Sequence, residues 1–193
     1  MDRELLPVFP GEKEKVGGRL SVIKTHTKSE FGAGGKYNKA ILIVRDFKSA
    51  ILSRFTFKKT SANHTGQLDN DKLESPKLLN MLKGLRKGYR NFYFHWLTEF
   101  DGPTLVLRYD DMVSDLYPQL VRIRNFLGAP VSNEQLQCVL CFSEGKFHRK
   151  KATDIDPWKN IPRELLQETD EDTKYVENLL KIINRENLYH YPN

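Results

Sequence analysis

The sequence predicts an α/β fold with a mostly parallel sheet covered by helices on both faces, and three observations predict it. Two short apolar runs, AILIV (Ala40 to Val44) and TLVLR (Thr104 to Arg108), lack polar alternation, as strands buried on both faces do. Each run ends in polar residues, Arg45-Asp46 after the first and Tyr109-Asp110-Asp111 after the second. Segments of helical periodicity fill the chain between and after them. Strands that alternate with helices build parallel sheets, whose ligands bind beyond the carboxyl ends of the strands, so the polar strand ends are the first places to look for chemistry.

Taken in order, RLSVIKTHT places a first β-branched strand at Leu20 to Ile23 that turns polar at Lys24-Thr25-His26. The glycine-rich EFGAGGKYN follows as a loop. After AILIV, apolar residues at Phe47, Ala50, Ile51 and Phe55 predict a helix from Phe47 to Phe57. The polar TSANHTGQLDNDKLESP reads as a loop and carries an N-glycosylation sequon, Asn63-His64-Thr65. Leu79, Leu82, Leu85, Tyr89, Phe92 and Trp96 give the period of a covering helix over Leu78 to Leu97, which Gly102 and Pro103 follow as breakers. Beyond TLVLR, Leu116 to Leu127 is amphipathic and is stopped by Gly128 and Pro130. Ser132 with the acidic Glu134 opens a helix through about Phe142. The basic GKFHRKKATDIDPWKNIP leads to a last helix from about Glu164 to Asn187.

The 193 residues, 39% hydrophobic, suit one domain with a sizeable core, spanning 1–193. Thirty-one Lys and Arg against 25 Asp and Glu leave a formal charge of +6, which favours anionic partners such as nucleotides, nucleic acid or acidic glycans. No stretch approaches the roughly 20 apolar residues of a membrane span, and MDRELLPVFPGEKEK lacks the apolar core of a signal peptide, so the chain as given carries no address. Cys138 and Cys141 form a single CVLC without a second pair or nearby histidines. They are expected to be half-buried cysteines sharing one helix face, with no metal site.

Three strand ends and loops collect unusual residues, and there a family becomes visible. VIKTHT, then AILIVRDFKSAILSRF, then LRYDDM, then FHRKKATDIDPWKN resemble, in order and spacing, the sulfotransferases that use 3′-phosphoadenylyl sulfate (PAPS). The resemblance implies a P-loop-like three-layer α/β fold. It also implies His26 as the base and Lys24 as a cation at the chemistry, Arg45 and Ser53 (an Arg-x7-Ser pair) on the cofactor's 3′-phosphate, and Tyr109 near its adenine. Arg149 and Lys150 match a later loop that also grips that phosphate, with Lys151 in place of the usual glycine. Trp158-Lys159-Asn160 matches the Trp-Lys-Asn that follows it. RDFKSAILSR is nearer to Golgi carbohydrate sulfotransferases, apart from Phe47 in place of their proline. The whole is most similar to the C-terminal portion of the WSC-domain-containing sulfotransferase-like proteins, linked as a family to sulfation of sialylated glycans (sialate O-sulfotransferases). That implies PAPS as cosubstrate, a glycan acceptor, no metal, and a Golgi membrane or lumen location for a parent whose anchor lies outside this sequence.

These residue types fit the chemistry. Arginine offers a rigid fork of donors with a permanent charge for a phosphate dianion, and a serine hydroxyl can cap the same anion. Sulfuryl transfer resembles phosphoryl transfer in its loose transition state, so positioning and nearby cations carry most of the catalysis, with a histidine taking the acceptor proton. Taken singly, His26 equally fits a surface histidine, Arg149-Lys150-Lys151 a solvated loop, and Tyr109 a core or rim aromatic. The family's 5′-phosphosulfate loop, a Pro-Arg-Ser-Gly-Thr-like segment, has no counterpart here. GAGGK fails as a Walker loop because Glu30 and Tyr37 stand where glycine and Ser/Thr belong. The expectation is therefore a domain truncated at its N-terminus, with weak nucleotide binding and little catalysis of its own. The competing reading is a non-catalytic module or pseudoenzyme of the same fold. Nucleic-acid binding draws only on charge, since RNP-like runs, zinc spacings and basic recognition helices are absent from the sequence.

Overall fold

In the computed structural model, Ala40–Val44 forms β1 and Thr104–Arg108 forms β2, paired in parallel with Ala40 opposite Thr104 and Val44 opposite Arg108. The structure describes residues 22, 24–26, 37–60, 76–141, 143 and 156–185. Among these the sheet holds two strands. The expected strand at Leu20 to Ile23 lies outside the described residues except for Val22, which is in no strand and is 62% exposed.

After β1, Asp46 caps α1 (Phe47–Lys59), its carboxylate accepting the Ser49 N–H at 2.8 Å. Helix α2 spans Pro76–Phe94 and widens into a π-helical turn at His95–Glu99. The wider turn lets three consecutive residues, His95, Trp96 and Leu97, all be buried. The chain re-enters the sheet through Gly102, where a Cβ would collide with the Phe100 ring and the Asn38 carbonyl, so only glycine fits. Beyond β2 come α3 (Tyr109–Ser114) and α4 (Leu116–Leu127), the latter ended by Gly128 in the left-handed region at φ 65°. Helix α5 (Asn133–Cys141) starts with reciprocal Ser132–Gln135 side-chain-to-backbone bonds, a capping box whose partner is Gln135 rather than the neighbouring Glu134. Helix α6 covers Arg163–Arg185.

Helices cover both faces of the sheet, as expected. On one face Leu42 and Val44 pack against Tyr93, Trp96 and Leu97 of the α2 stretch and Val176, Leu180 and Ile183 of α6. Phe47, Ile51 and Phe55 of α1 continue that layer against Leu78, Leu82 and Leu165. On the other face Leu105 and Leu107 meet Phe126 of α4, with Ile41 at the margin. Here the structure corrects the sequence reading: β1 is not buried on both faces along its length, because the cover from α4 reaches Ile41 but leaves Ile43 46% exposed.

Polar ties lock the helical layer. Fully buried Asp172 of α6 accepts from Arg86 Nε at 2.6 Å with one oxygen and from Arg90 Nε with the other. The Asp172 hydrogen bond is the main cause of the rise in the Arg86 pKa. Lys48 of α1 pairs with Asp170 of α6 at 2.7 Å. Both long edges of the strand pair also find side-chain partners. Ala40 donates to Pro103 across the ladder, so Ile41, Ile43 and Arg45 turn their backbone groups to the opposite edge. There Tyr93 Oη donates to the Ile43 carbonyl at 3.1 Å. On the far edge of β2, Arg122 donates to the Val106 carbonyl at 3.0 Å.

Cys138 and Cys141 are also corrected: both are free and exposed. Helix α5 buries Leu136, and at about 100° per residue both cysteines point more than a quarter turn away from that face.

Candidate functional site

The carboxyl ends of β1 and β2 bring Arg45 and Tyr109 together. The strands end in register at Val44 and Arg108, so the next residue of each chain stands side by side with the other. The Arg45 guanidinium carbon lies 4.0 Å from the centroid of the Tyr109 ring, a close cation–π contact. Tyr109 opens α3, a helix the sequence reading took only for the polar end of a strand.

Behind this contact Arg45 Nε is buried without a hydrogen-bond partner among the described residues. A buried unpaired donor costs roughly 1–3 kcal/mol, more when charged, and such atoms in native proteins call for an acceptor. An oxyanion would supply one. The donor set therefore fits a phosphate or sulfate group, and it is the one place where the described residues hold such an orphaned side-chain atom.

Tyr89 Oη donates to the Arg45 carbonyl at 2.8 Å, and the Arg45 N–H donates to Tyr93 Oη at 3.3 Å. Burial, first among several causes, pushes both phenols above their ordinary pKa, so they stay neutral donors. The first helical residue of α1, Phe47, is fully buried, and its N–H donates to Thr173 Oγ1 of α6 at 3.1 Å. A proline at this position could not make that bond. Beside the site, Arg108 and Glu177 form a two-pronged pair that pulls the Glu177 pKa below its ordinary value.

Ser53 is half-buried on α1, and no hydrogen bond joins it to Arg45 among the described residues. It shares a helix face with Ser49, one turn nearer the strand end. Lys24 and His26 are exposed and lie in no regular element. Arg149 and Lys150 lie outside the described residues, as do the GAGGK glycines and the Asn63-His64-Thr65 sequon. Trp158-Lys159-Asn160 forms a turn whose Trp158 packs against the α1 core, leaving Lys159 and Asn160 exposed. The other described histidine, His95, pairs with Glu99 on the π-helical turn. That turn packs by Trp96 on Tyr37, ahead of β1, and is therefore at the opposite end of the sheet.

Sequence reasoning missed Tyr89, Tyr93, Thr173 and Glu177 as parts of this end of the molecule. The available signal was the i, i+4 tyrosine pair on an apolar helix face, since buried phenols need partners. Among the described residues no cluster of three or more potential metal ligands occurs, and no helix is long and apolar enough to cross a membrane.

The Sulfotransferase domain family matches residues 17–171. A WSCD family member of Aedes aegypti is 33% identical over 156 residues, 78% of this chain and 47% of its own length. WSCD family members of Drosophila melanogaster and Drosophila pseudoobscura pseudoobscura are 30% and 31% identical over 165 residues, 82% of this chain and 50% of theirs. The chain thus spans about half the length of these curated relatives. No solved structure shows a significant match.

Proposed function

The chain belongs to the sulfotransferase-domain family, and from that premise we propose that it binds PAPS at the carboxyl ends of β1 and β2 and serves sulfuryl transfer to a carbohydrate hydroxyl. The observation that carries the proposal is the buried, unpaired Nε of an Arg45 guanidinium whose central carbon lies 4.0 Å from the Tyr109 ring centroid. The ring contact holds the planar fork in place, and the low-dielectric setting strengthens a bond to an anion.

In this reading Arg45 grips the 3′-phosphate, with Ser53 capping it from α1 and Arg149 and Lys150 adding charge from the later loop. Tyr109 serves both as the arginine's platform and as a rim for the adenine. The bound nucleotide supplies an activated sulfuryl group. His26 takes the proton of the acceptor hydroxyl, and Lys24 faces the developing negative charge. The acceptor proposed is a sialylated glycan, which the net charge of +6 favours, and the setting proposed is the Golgi lumen.

The test is calorimetric titration of the chain with adenosine 3′,5′-bisphosphate beside an Arg45→Ala variant. Saturable binding, weakened about 10- to 100-fold in the variant, is expected for one lost charge-assisted contact. Equal binding by both proteins would remove Arg45 from the phosphate site. Binding without sulfate transfer to any glycan would favour a non-catalytic module of the same fold.

A further inference from the structure

Arg45 stands between the last ladder residue of β1, Val44, and the first helical residue of α1, Phe47, so neither element fixes its backbone. Two hydroxyls do. Tyr89 holds the Arg45 carbonyl at 2.8 Å, and Tyr93 accepts the Arg45 N–H at 3.3 Å while donating to the Ile43 carbonyl at 3.1 Å. The tyrosines stand one turn apart on α2 and pack edge to face, with centroids 4.9 Å apart at 72°. Tyr89 also sets its ring edge-on to Phe47, with centroids 5.0 Å apart.

Packing alone does not require these hydroxyls, because phenylalanine would fill the same volume without a buried polar atom. Both phenols instead converge on the backbone of one residue. A small rotation there would swing a side chain as long as arginine by several ångströms at its tip, away from Tyr109.

We propose that Tyr89 and Tyr93 are positioning residues for the anion site: they set the backbone of Arg45 so that its guanidinium lands on Tyr109 with Nε turned to the 3′-phosphate. The inference rests on the reading of Arg45 as the phosphate ligand.

The test uses the full chain and its Tyr89→Phe and Tyr93→Phe variants, titrated with adenosine 3′,5′-bisphosphate and with adenosine 5′-monophosphate at folded fractions matched by circular dichroism. Each variant is expected to bind the bisphosphate about fivefold more weakly, the loss of one typical hydrogen bond, and the monophosphate unchanged. A destabilising control far from the site, Leu136→Ala on α5, is expected to leave both affinities unaltered. Unchanged bisphosphate affinity in the phenylalanine variants, or equal weakening toward both nucleotides, would overturn the proposal, and if one variant does not fold the other decides. If wild type does not distinguish the two nucleotides and Arg45→Ala changes nothing, the phosphate reading falls and this inference with it. Arg45 dependence with unaltered phenylalanine variants overturns this inference alone.

Discussion

Arg108 and Glu177 meet fork to fork at the carboxyl end of β2, each terminal guanidinium nitrogen 2.6 Å from its own carboxylate oxygen. The pair joins strand to α6 and pulls the Glu177 pKa down. A carboxylate whose folded pKa is depressed adds stability that is present above its unfolded value and is lost as pH falls through the folded value. Both partners are partly exposed, so the gain is below about 1 kcal/mol. Urea titration of wild type against Glu177→Gln is expected to show a small gap at neutral pH that closes once the pH has dropped below the ordinary glutamate range. A gap that persists in acid would assign the effect to something other than this charge.

Arg45→Met should leave the ligand-free protein as stable as wild type or more so. The substitution removes a buried donor with no partner and keeps most of the side chain's apolar packing, the reverse of the usual effect of a core change. Thermal unfolding with and without adenosine 3′,5′-bisphosphate reads both halves of the expectation. The variant's melting temperature should be no lower, and the ligand-induced rise seen in wild type should shrink. A loss of more than about 1 kcal/mol without ligand would show that the guanidinium is structural.

Asp172→Ala strips both arginines of α2 of their shared acceptor and leaves a hole in a fully buried position. The expected cost is about 2–4 kcal/mol by urea denaturation, because Arg86 and Arg90 remain partly exposed and can turn to water. A change below about 1 kcal/mol would mean that apolar packing and the remaining Arg86–Glu168 pair suffice to hold α2 to α6.

Phe47→Pro places a proline at the first helical position of α1, where helices usually tolerate one, yet it should harm this chain. It deletes the N–H that donates to Thr173 and empties a fully buried aromatic site. Loss of the ring alone is expected to cost about 3–5 kcal/mol. Thr173→Val, which keeps the aromatic site filled but removes the hydroxyl that accepts from Phe47 and donates to the Thr169 carbonyl, should cost about 1 kcal/mol. Equal melting temperatures for Phe47→Pro and wild type would show that α1 is placed by other contacts.

How far the sequence could be read varied with the range of the forces involved. Thr104–Arg108 and Leu116–Leu127 stand where the pattern places them, since an unbroken apolar run and a glycine stop are local signals. Arg45 and Tyr109 were legible as strand-end residues, and parallel register then sets them side by side. Their stacking was not legible, because nothing local says that α3 begins at Tyr109. Periodicity placed Tyr89 on the buried face of α2 but could not name the backbone atom its hydroxyl seeks. Thr173 lies 126 positions from Phe47, and only tertiary packing reveals that pairing. The exposure of Cys138 and Cys141 follows from which face α5 gives to its neighbours, and a short helix with one buried leucine leaves that choice open.

The Tyr93 phenol on one margin of the strand pair and the Arg122 guanidinium on the other each occupy a backbone carbonyl that a passing peptide would need in order to zip on. An open strand margin is otherwise a template for growth between molecules. A second chain adding itself at Ile43 would first have to displace Tyr93, and with it one of the two holds on Arg45. Under the role proposed for Tyr93, one hydroxyl serves both the strand margin and the anion site, so a Tyr93→Phe protein should be both a poorer binder and a more readily clumping one.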